Sequence, residues 1–355
     1  MVFISMKSSV NDNNSADVSS TRTIMLELAA LHPSSKNIVV NDSVDNDENI
    51  DQARHTNLTL PNVLLVGAQK AGTTGLSTAI TKSEKFCTRK EVPGEFLYEV
   101  HFFDNEERLK RGAAYYASLY EHCKFPLVYD KTPEYMFYPD RIREVYESVG
   151  NEQLENLKII VILREPTARD LSMYNMYADV IRGRKYDGQS PRGFRYSIDH
   201  PKADTLLRED DTIMTFTEYA THAIPKFIAE KMSPSLYGPM LQNLIKYIDR
   251  KQILILSYEE SKSDPDKFLS RFRDFVGLQS DVKLEQSFSN NASGAAEKYP
   301  SCSVQKQLAE AYRESNEEFY ELMDKNPGPP MEQRPFLRFS LGKCLEAHQE
   351  IASTE

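Results

Sequence analysis

The segment NVLLVGAQKAGTT, residues 62–74, constrains the fold of this chain more than any other stretch. Its apolar run is too short for a helix and ends on a glycine, which is typical of a buried strand in a parallel sheet. The next residues, TTGLSTAITKS, begin with threonines suited to capping and predict a helix. A strand, a glycine-containing turn and a helix N-terminus form a ready anion site, because backbone N–H groups and the helix dipole point at the ligand.

Apolar runs of the same kind recur along the chain and alternate with helical patterns. LKIIVILREP and QILILSYEE predict two buried strands, and EVHFFD and PLVYDKTPEYMF carry further strand signals. This alternation predicts an α/β, P-loop-like three-layer fold, with a central, mainly parallel sheet and flanking helices.

The lysine of the first segment stands earlier than in a nucleotide-triphosphate loop. Gly67 and Gly72 have the spacing of such a loop, in which lysine and a hydroxyl residue follow the second glycine. Here Thr73 and Thr74 follow it, and Lys70 lies inside the loop. Magnesium coordination asks for an acidic residue at a neighbouring strand end, whereas LKIIVIL is followed first by arginine. The early lysine and the arginine after LKIIVIL favour a donor that has a single phosphate at the end bound by this loop and that needs no metal. The alternative is a plain strand-to-helix turn in which the lysine is incidental.

A second candidate anion site follows the strand LKIIVIL. Arg164 stands at its C-terminal end, and Ser172 follows about two helical turns later. Ligands of open α/β sheets bind at the carboxyl ends of strands, so a guanidinium fork and a hydroxyl could converge there on one anion. The alternative is a surface ion pair of Arg164 with Glu165 or Asp170.

Composition bears on the compartment and on the partners. The net charge of −10 argues against broad affinity for nucleic acid or anionic membranes. No apolar run approaches the about 20 residues that cross a bilayer, and the chain opens without a convincing signal peptide. The sequence therefore predicts a soluble protein, or one whose anchor lies outside this sequence. Its four cysteines lack metal-ligand spacing and are compatible with thiols or with one or two disulfides.

Together the two anion motifs resemble those of the sulfotransferases. LLVGAQKAGTT is similar to the 5′-phosphosulfate loop of that family, and LREPTARDLSMY is similar to its 3′-phosphate motif. The resemblance implies the sulfuryl donor 3′-phosphoadenosine 5′-phosphosulfate (PAPS), which carries two anionic ends, and it implies no metal. It assigns the following residues to the donor: Lys70, Ala71, Gly72, Thr73, Thr74, Arg164 and Ser172.

Further segments resemble the heparan sulfate type of Golgi sulfotransferase. They are EVHFFD, the later DKTPEYMFYPDRI, and the helix–strand–helix unit that ends at Gly277. This resemblance implies a sulfotransferase domain over residues 61–325, between a disordered acidic tail, residues 1–60, and an uncertain C-terminal tail, residues 326–355. It also implies a carbohydrate acceptor such as a glycosaminoglycan, and the Golgi lumen as compartment. A soluble cytoplasmic protein stays the alternative.

Sulfuryl transfer requires positioning, charge stabilisation and a base. The resemblance assigns the base to Glu99. His101 is the alternative, since histidine is the commoner general base and residues two apart on a strand share one face. Lys131 resembles the second active-site lysine of the family, and Lys70 is expected to stabilise charge on the leaving phosphate.

The C-terminal part matches the family less closely. Lys298, in KYP, is a candidate ligand of the 3′-phosphate, but the glycine–arginine element that precedes it in the family is missing. Cys302 has no obvious partner close by. The flap RGRKYDGQSPRGFRY is either a basic acceptor groove or a solvated loop.

Two other functions remain as alternatives. One is a P-loop kinase that phosphorylates a nucleotide or small molecule, for which the displaced lysine is unfavourable. The other is a non-catalytic nucleotide-binding module, in which Glu99 would be idle.

Overall fold

The described residues build a central parallel sheet. The computed structural model describes residues 58–90, 99–185, 201–285, 300–340 and 344. Four strands pair in the order β2-β1-β3-β4, and every pair is parallel. They are β1 (Val63–Gly67), β2 (Tyr129–Lys131), β3 (Lys158–Leu163) and β4 (Ile253–Ser257). The predicted α/β class with a parallel sheet is confirmed.

Helices connect and cover these strands. Between β1 and β3 lie α1 (Thr73–Lys82), α2 (Glu106–Leu109), α3 (Gly112–Ser118), α4 (Pro139–Val149) and α5 (Asn151–Glu155). Between β3 and β4 lie α6 (Pro166–Lys185), α7 (Phe216–Glu218), α8 (Ile224–Ala229) and α9 (Tyr237–Tyr247). After β4 come α10 (Tyr258–Ser263), α11 (Pro265–Val276) and α12 (Cys302–Lys325). Within the described ranges, no helix combines the length and apolarity that a membrane span requires.

Local signals fix where the longer helices begin and end. The Asp264 side chain accepts a hydrogen bond from the Lys267 N–H at the start of α11, and Gly277 ends that helix with φ 81°. Ser301 caps α12 in the same way, through the N–H of Val304. Such caps satisfy N–H groups that the helix leaves without partners, and glycine accepts the left-handed conformation at the C-terminal end.

The buried apolar side chains that the structure describes form two clusters. The larger one surrounds the sheet, whose strand residues are almost all buried. The second joins α6, α7 and the first half of α12 through apolar side chains such as Leu171, Phe216 and Leu308. Residues 204–229 therefore add a helical layer whose apolar side chains pack with α6 and α12 in this second cluster.

The segment EVHFFD is not a strand, which corrects the prediction from its apolar pattern. Residues 99–103 have no strand pairing, and His101 has φ 50°. The N–H groups of Val100 and His101 donate to the Thr132 hydroxyl, and the Phe102 N–H donates to the Tyr135 hydroxyl at 2.8 Å. Side-chain oxygens of the next segment thus satisfy the backbone groups that a strand would pair with a neighbouring strand.

All four cysteines form disulfides. Cys87 is bonded to Cys123 and Cys302 to Cys344, with Cα–Cα distances of 5.6 and 5.4 Å. The sequence left this point open, because the partner of Cys302 lies 42 positions further along the chain.

A buried ion pair attaches the C-terminal segment to β4, the last strand of the described sheet. Glu332 and Arg250 are 4% and 8% exposed, and the Arg250 Nη2 donates to the Glu332 Oε2 at 2.6 Å. The other carboxylate oxygen accepts the N–H of Ile255 at 2.9 Å. One side chain therefore satisfies both a buried guanidinium and a backbone donor of the strand.

Glu332→Ala is expected to lower the free energy of unfolding by about 3–5 kcal/mol, because it leaves a buried charge without its partner. Chemical denaturation measures the change. Glu321→Ala removes one half of an exposed pair with Lys325 on α12 and should cost less than about 0.5 kcal/mol. Equal losses in the two variants would contradict a structural role for Glu332.

Candidate active site

Three neighbouring strands bring the predicted site residues to one edge of the sheet. β1 leads into the loop of residues 68–72, β2 ends on Lys131, and β3 is followed by Arg164. Because the strands are parallel, their carboxyl ends meet at the same edge. The strand order also reverses between β1 and β3, so the loop lies at a topological switch point, where ligands of such sheets bind.

The loop after β1 has a backbone that suits anion binding. Lys70 and Gly72 both have left-handed backbone conformations, with φ 70° and 93°. Gly67 is required for close packing, since a Cβ there would lie 2.2 Å from the Met136 sulfur. No side chain caps α1, whose N-cap is Gly72. Its first N–H groups are therefore not used by a cap, and together with the helix dipole they can bind an oxyanion.

Arg164 lies against this loop, so the structure brings the two predicted anion motifs together. Its Nη1 donates to the Lys70 carbonyl at 3.2 Å, and its guanidinium lies 4.6 Å from the centre of the Tyr258 ring. The Tyr237 hydroxyl donates to the Arg164 carbonyl at 2.8 Å.

The acidic neighbours of Arg164 have other partners. Glu165 accepts the N–H groups of Thr167 and Ala168, and Asp170 pairs with Arg169. The alternative in which Arg164 is neutralised by one of these two carboxylates is therefore wrong. Ser172 is half-buried and lies on α6, two residues after Asp170.

Lys131 begins a row of charged side chains that continues through Glu99 and His101 to Asp104. Its ammonium contacts the Glu99 carboxylate at 2.5 Å, and the second oxygen of Glu99 lies 3.4 Å from the His101 Nε2. The His101 Nδ1 lies 2.7 Å from the Asp104 carboxylate. Glu99 thus lies between the Lys131 ammonium and the His101 ring. Asp104 contacts the other ring nitrogen of His101 and so orients the imidazole.

These contacts set the protonation states. Burial by itself raises the pKa of the Glu99 carboxyl, but the hydrogen bond from His101 and the charge of Lys131 outweigh it and lower the pKa to about 2. Burial by itself lowers the pKa of His101, but hydrogen bonds to Asp104 and Glu99 raise it to about 10. At neutral pH both ring nitrogens of His101 therefore carry a proton, so the histidine is a cation. Glu99 is ionised and is the group of this pair that can accept a proton.

Among the described residues, two groups have the spacing of a metal site. Ligand atoms of His101, Asp104 and Glu134 lie within 4.8 Å of one another. A proton on His101 competes with a metal for that ring. The second group contains Cys87 and Cys123, whose sulfurs are bonded to each other and are not thiolates.

Some functional neighbours were missed from the sequence. Asp104 stands three positions after His101, a spacing that carried no signal while the segment was interpreted as a strand. Thr132 and Tyr135 position the loop of residues 99–103, and nothing in a local pattern marks them. Lys298 and most of the flap, residues 186–196, lie outside the described residues.

The comparison with known families agrees with this geometry. The family described as "Sulfotransferase domain" matches residues 60–325. The chain belongs to the sulfotransferase family.

Individual relatives of this family member are distant. The bifunctional heparan sulfate N-deacetylase/N-sulfotransferase 1 of Caenorhabditis briggsae is 24% identical over 223 residues, covering 62% of this chain and 23% of that protein. Heparan sulfate glucosamine 3-O-sulfotransferase 5 of Mus musculus is 24% identical over 228 residues, covering 62% of this chain and 54% of that protein. The chain thus spans less than a quarter of the first relative and about half of the second.

A solved sulfotransferase structure, that of Alicyclobacillus acidocaldarius, is also similar. It has 18% sequence identity and a TM-score of 0.49, and the match covers 75% of this chain and 97% of that one.

Histidine titration tests the charged row directly. We expect the His101 ring to stay protonated well above pH ~6.5, the usual pKa of histidine, when followed by NMR. Asp104→Asn removes the largest contribution that raises this pKa, so the titration should move to lower pH. A His101→Gln variant assigns the resonance. A parent ring that titrates near its usual value would contradict the arrangement.

Proposed function

We propose that this protein is a PAPS-dependent sulfotransferase that moves a sulfuryl group to a hydroxyl or amino group of a carbohydrate acceptor. The observation that carries the proposal is the shared edge of the sheet: the loop of residues 68–72 follows β1, and Lys131, at the end of the adjacent strand β2, pairs with Glu99. Family membership supports the reaction type.

For the donor, the loop and the start of α1 would bind the 5′-phosphosulfate. Lys70 lies within that loop and would stabilise charge on the leaving phosphate, with the N–H groups near Gly72 to Thr74 around it. Arg164 and Ser172 would bind the 3′-phosphate, and Lys298 stays a proposed additional ligand. Two separate anion sites match a donor with phosphates at both ends better than they match a nucleotide triphosphate.

For the chemistry, Glu99 would accept the acceptor's proton while the acceptor atom attacks sulfur. The bond from sulfur to the bridging oxygen breaks, and that oxygen leaves with the phosphate. With a pKa of about 2, Glu99 is a weak base while Lys131 neutralises it. If Lys131 turns to a sulfuryl oxygen when the donor is bound, Glu99 loses that cation and becomes more basic. Donor binding would thereby prepare the base.

For the acceptor, two of the matched relatives are named for heparan sulfate. The chain as a whole is acidic, but cations lie along the loop that carries Glu99. Arg108 donates to the Val100 carbonyl, and Arg141 donates to the Phe103 carbonyl at 2.9 Å. Arg141 also pairs with Glu106, so the names of the relatives and not the local charge carry the proposal of an anionic sugar as the acceptor.

The two disulfides support a compartment. Disulfides persist in oxidising surroundings such as secretory compartments and are rare in the cytosol. We therefore propose an oxidising compartment of the secretory pathway, such as the Golgi lumen, rather than the cytoplasm.

The binding experiment compares ligands by thermal shift. 3′-Phosphoadenosine 5′-phosphate, the desulfated product, should raise the melting temperature, and ATP with magnesium should not, because the loop places its lysine early. The reverse result would favour a kinase. Transfer of labelled sulfate to a panel that includes N-desulfated and O-desulfated heparan chains identifies the acceptor group.

Lys70→Ala is expected to lower the rate of sulfuryl transfer about 10²–10³-fold, the usual effect of removing one group that stabilises developing charge. Its thermal unfolding should match that of the parent. Lys82→Ala removes an exposed lysine from the C-terminal end of α1, the helix that follows the loop, and should transfer sulfate at the parental rate. A Lys70→Ala enzyme with near-parental activity would refute the assignment.

Glu99→Gln keeps the size of the side chain and removes the base, so transfer should fall while binding of 3′-phosphoadenosine 5′-phosphate is kept. His101→Ala removes a hydrogen bond that lowers the pKa of Glu99. In that variant the acidic limb of the pH–rate profile should move to higher pH. An acidic limb that vanishes in His101→Ala but persists in Glu99→Gln would identify the histidine as the base.

A further inference from the structure

Arg169 is a fully buried arginine whose three nitrogens have three different partners. It is 1% exposed, although it carries a charge. Its Nε donates to the Ser235 hydroxyl at 2.6 Å, and its Nη2 donates to the Asp170 carboxylate at 2.8 Å. Its Nη1 donates to the carbonyl of Gln69 at 3.3 Å. The side chain of α6 therefore reaches the loop that follows β1.

The contact with Gln69 bears on the next residue of the loop. The carbonyls of Gln69 and Lys70 are consecutive, and each accepts from a different arginine, Arg169 and Arg164. Because a peptide group is planar, fixing its carbonyl also fixes the N–H of the following residue. Both peptide groups that flank the Lys70 α-carbon are thus fixed from outside the loop.

Lys70 needs such support, because its backbone is left-handed with φ 70°. For a residue with a Cβ this conformation is unfavourable, and it persists where surrounding contacts enforce it. Without the contact to Gln69, the loop is free to relax toward a common conformation and carry the lysine away from the anion position.

The acidic partner of Arg169 is itself held in place. Oδ1 of Asp170 accepts from the Ser235 hydroxyl at 2.8 Å, in addition to Arg169. Its Oδ2 accepts from the hydroxyl of Tyr312, on α12, at 2.6 Å. Charge pairing with Oδ1 compensates the burial of the guanidinium. Ser235, which contacts both Asp170 Oδ1 and Arg169 Nε, fixes the direction in which Nη1 points.

We propose that Arg169 is a positioning residue for the sulfuryl donor: it holds the Gln69–Lys70 peptide group, and with it the left-handed Lys70, in the conformation that receives the 5′-phosphosulfate. Arg169 acts through the loop. The inference rests on the proposed function, in which this loop binds the donor.

Arg169→Lys is the principal test. It keeps a cation beside Asp170, but one ammonium cannot reach Ser235, Asp170 and the Gln69 carbonyl as a planar fork does. We expect the Kd of 3′-phosphoadenosine 5′-phosphate and the KM of the donor to rise about tenfold or more, as for loss of a hydrogen bond from a charged group. The KM of the acceptor should stay at its parental value, since the Glu99 side of the site is untouched.

Tyr312→Phe is the matched control. It removes a hydrogen bond from the same buried network, on the side that faces α12 rather than the loop. It should lower the melting temperature and leave the Kd of 3′-phosphoadenosine 5′-phosphate close to that of the parent. If Arg169→Lys does not fold, Ser235→Ala replaces it, because it removes the acceptor of Nε and should weaken binding of the same ligand.

The outcomes separate the two proposals. Parental donor affinity in Arg169→Lys, or in Ser235→Ala where that variant replaces it, would overturn the role of Arg169, and the donor assignment would stand. Tyr312→Phe binding as weakly as Arg169→Lys would also overturn it, because the effect would then follow stability alone. If the parent enzyme does not bind 3′-phosphoadenosine 5′-phosphate, the proposed function fails and the inference fails with it.

Discussion

Two consecutive carbonyl groups in the loop after β1 accept hydrogen bonds from two arginines that follow β3. An anion site made of backbone N–H groups requires that the carbonyls of the same loop point elsewhere and find donors there. The arginines supply those donors, and Arg164, which pairs with neither of its acidic neighbours Glu165 and Asp170, adds positive charge at the same edge of the sheet. The conformation of Lys70, the proximity of the two anion motifs and the proposed donor site all depend on this arrangement.

The same edge of the sheet also holds a carboxylate that lies between two cations. Glu99 lies between Lys131 and a protonated His101, so the proposed base is neutralised in the free protein. A donor that attracts Lys131 would remove one of the two cations and raise the basicity of Glu99. Donor binding and proton transfer would thereby be linked through Lys131, which stands at the end of β2 next to the loop of residues 68–72.

Much of the fold followed from local patterns. The apolar runs of β1, β3 and β4 are short and buried, and a parallel sheet is the arrangement that buries such strands on both faces. The apolar pattern of residues 99–103 predicts a strand, and Val100, Phe102 and Phe103 are indeed buried. The backbone of this segment, however, donates to the hydroxyls of Thr132 and Tyr135. A local pattern reports burial of side chains and not which groups satisfy the backbone.

The sequence by itself determined the strand–turn–helix of the anion loop, the parallel sheet and the identity of the charged residues at the strand ends, because these depend on neighbours in the chain. Only the tertiary structure decided which charges meet. Glu99 and Lys131 are 32 positions apart, Arg169 and Gln69 are 100, and Asp170 and Tyr312 are 142. The disulfide partners were decided in the same way. Such contacts arise from how the helices pack on the sheet, and no spacing along the chain encodes them.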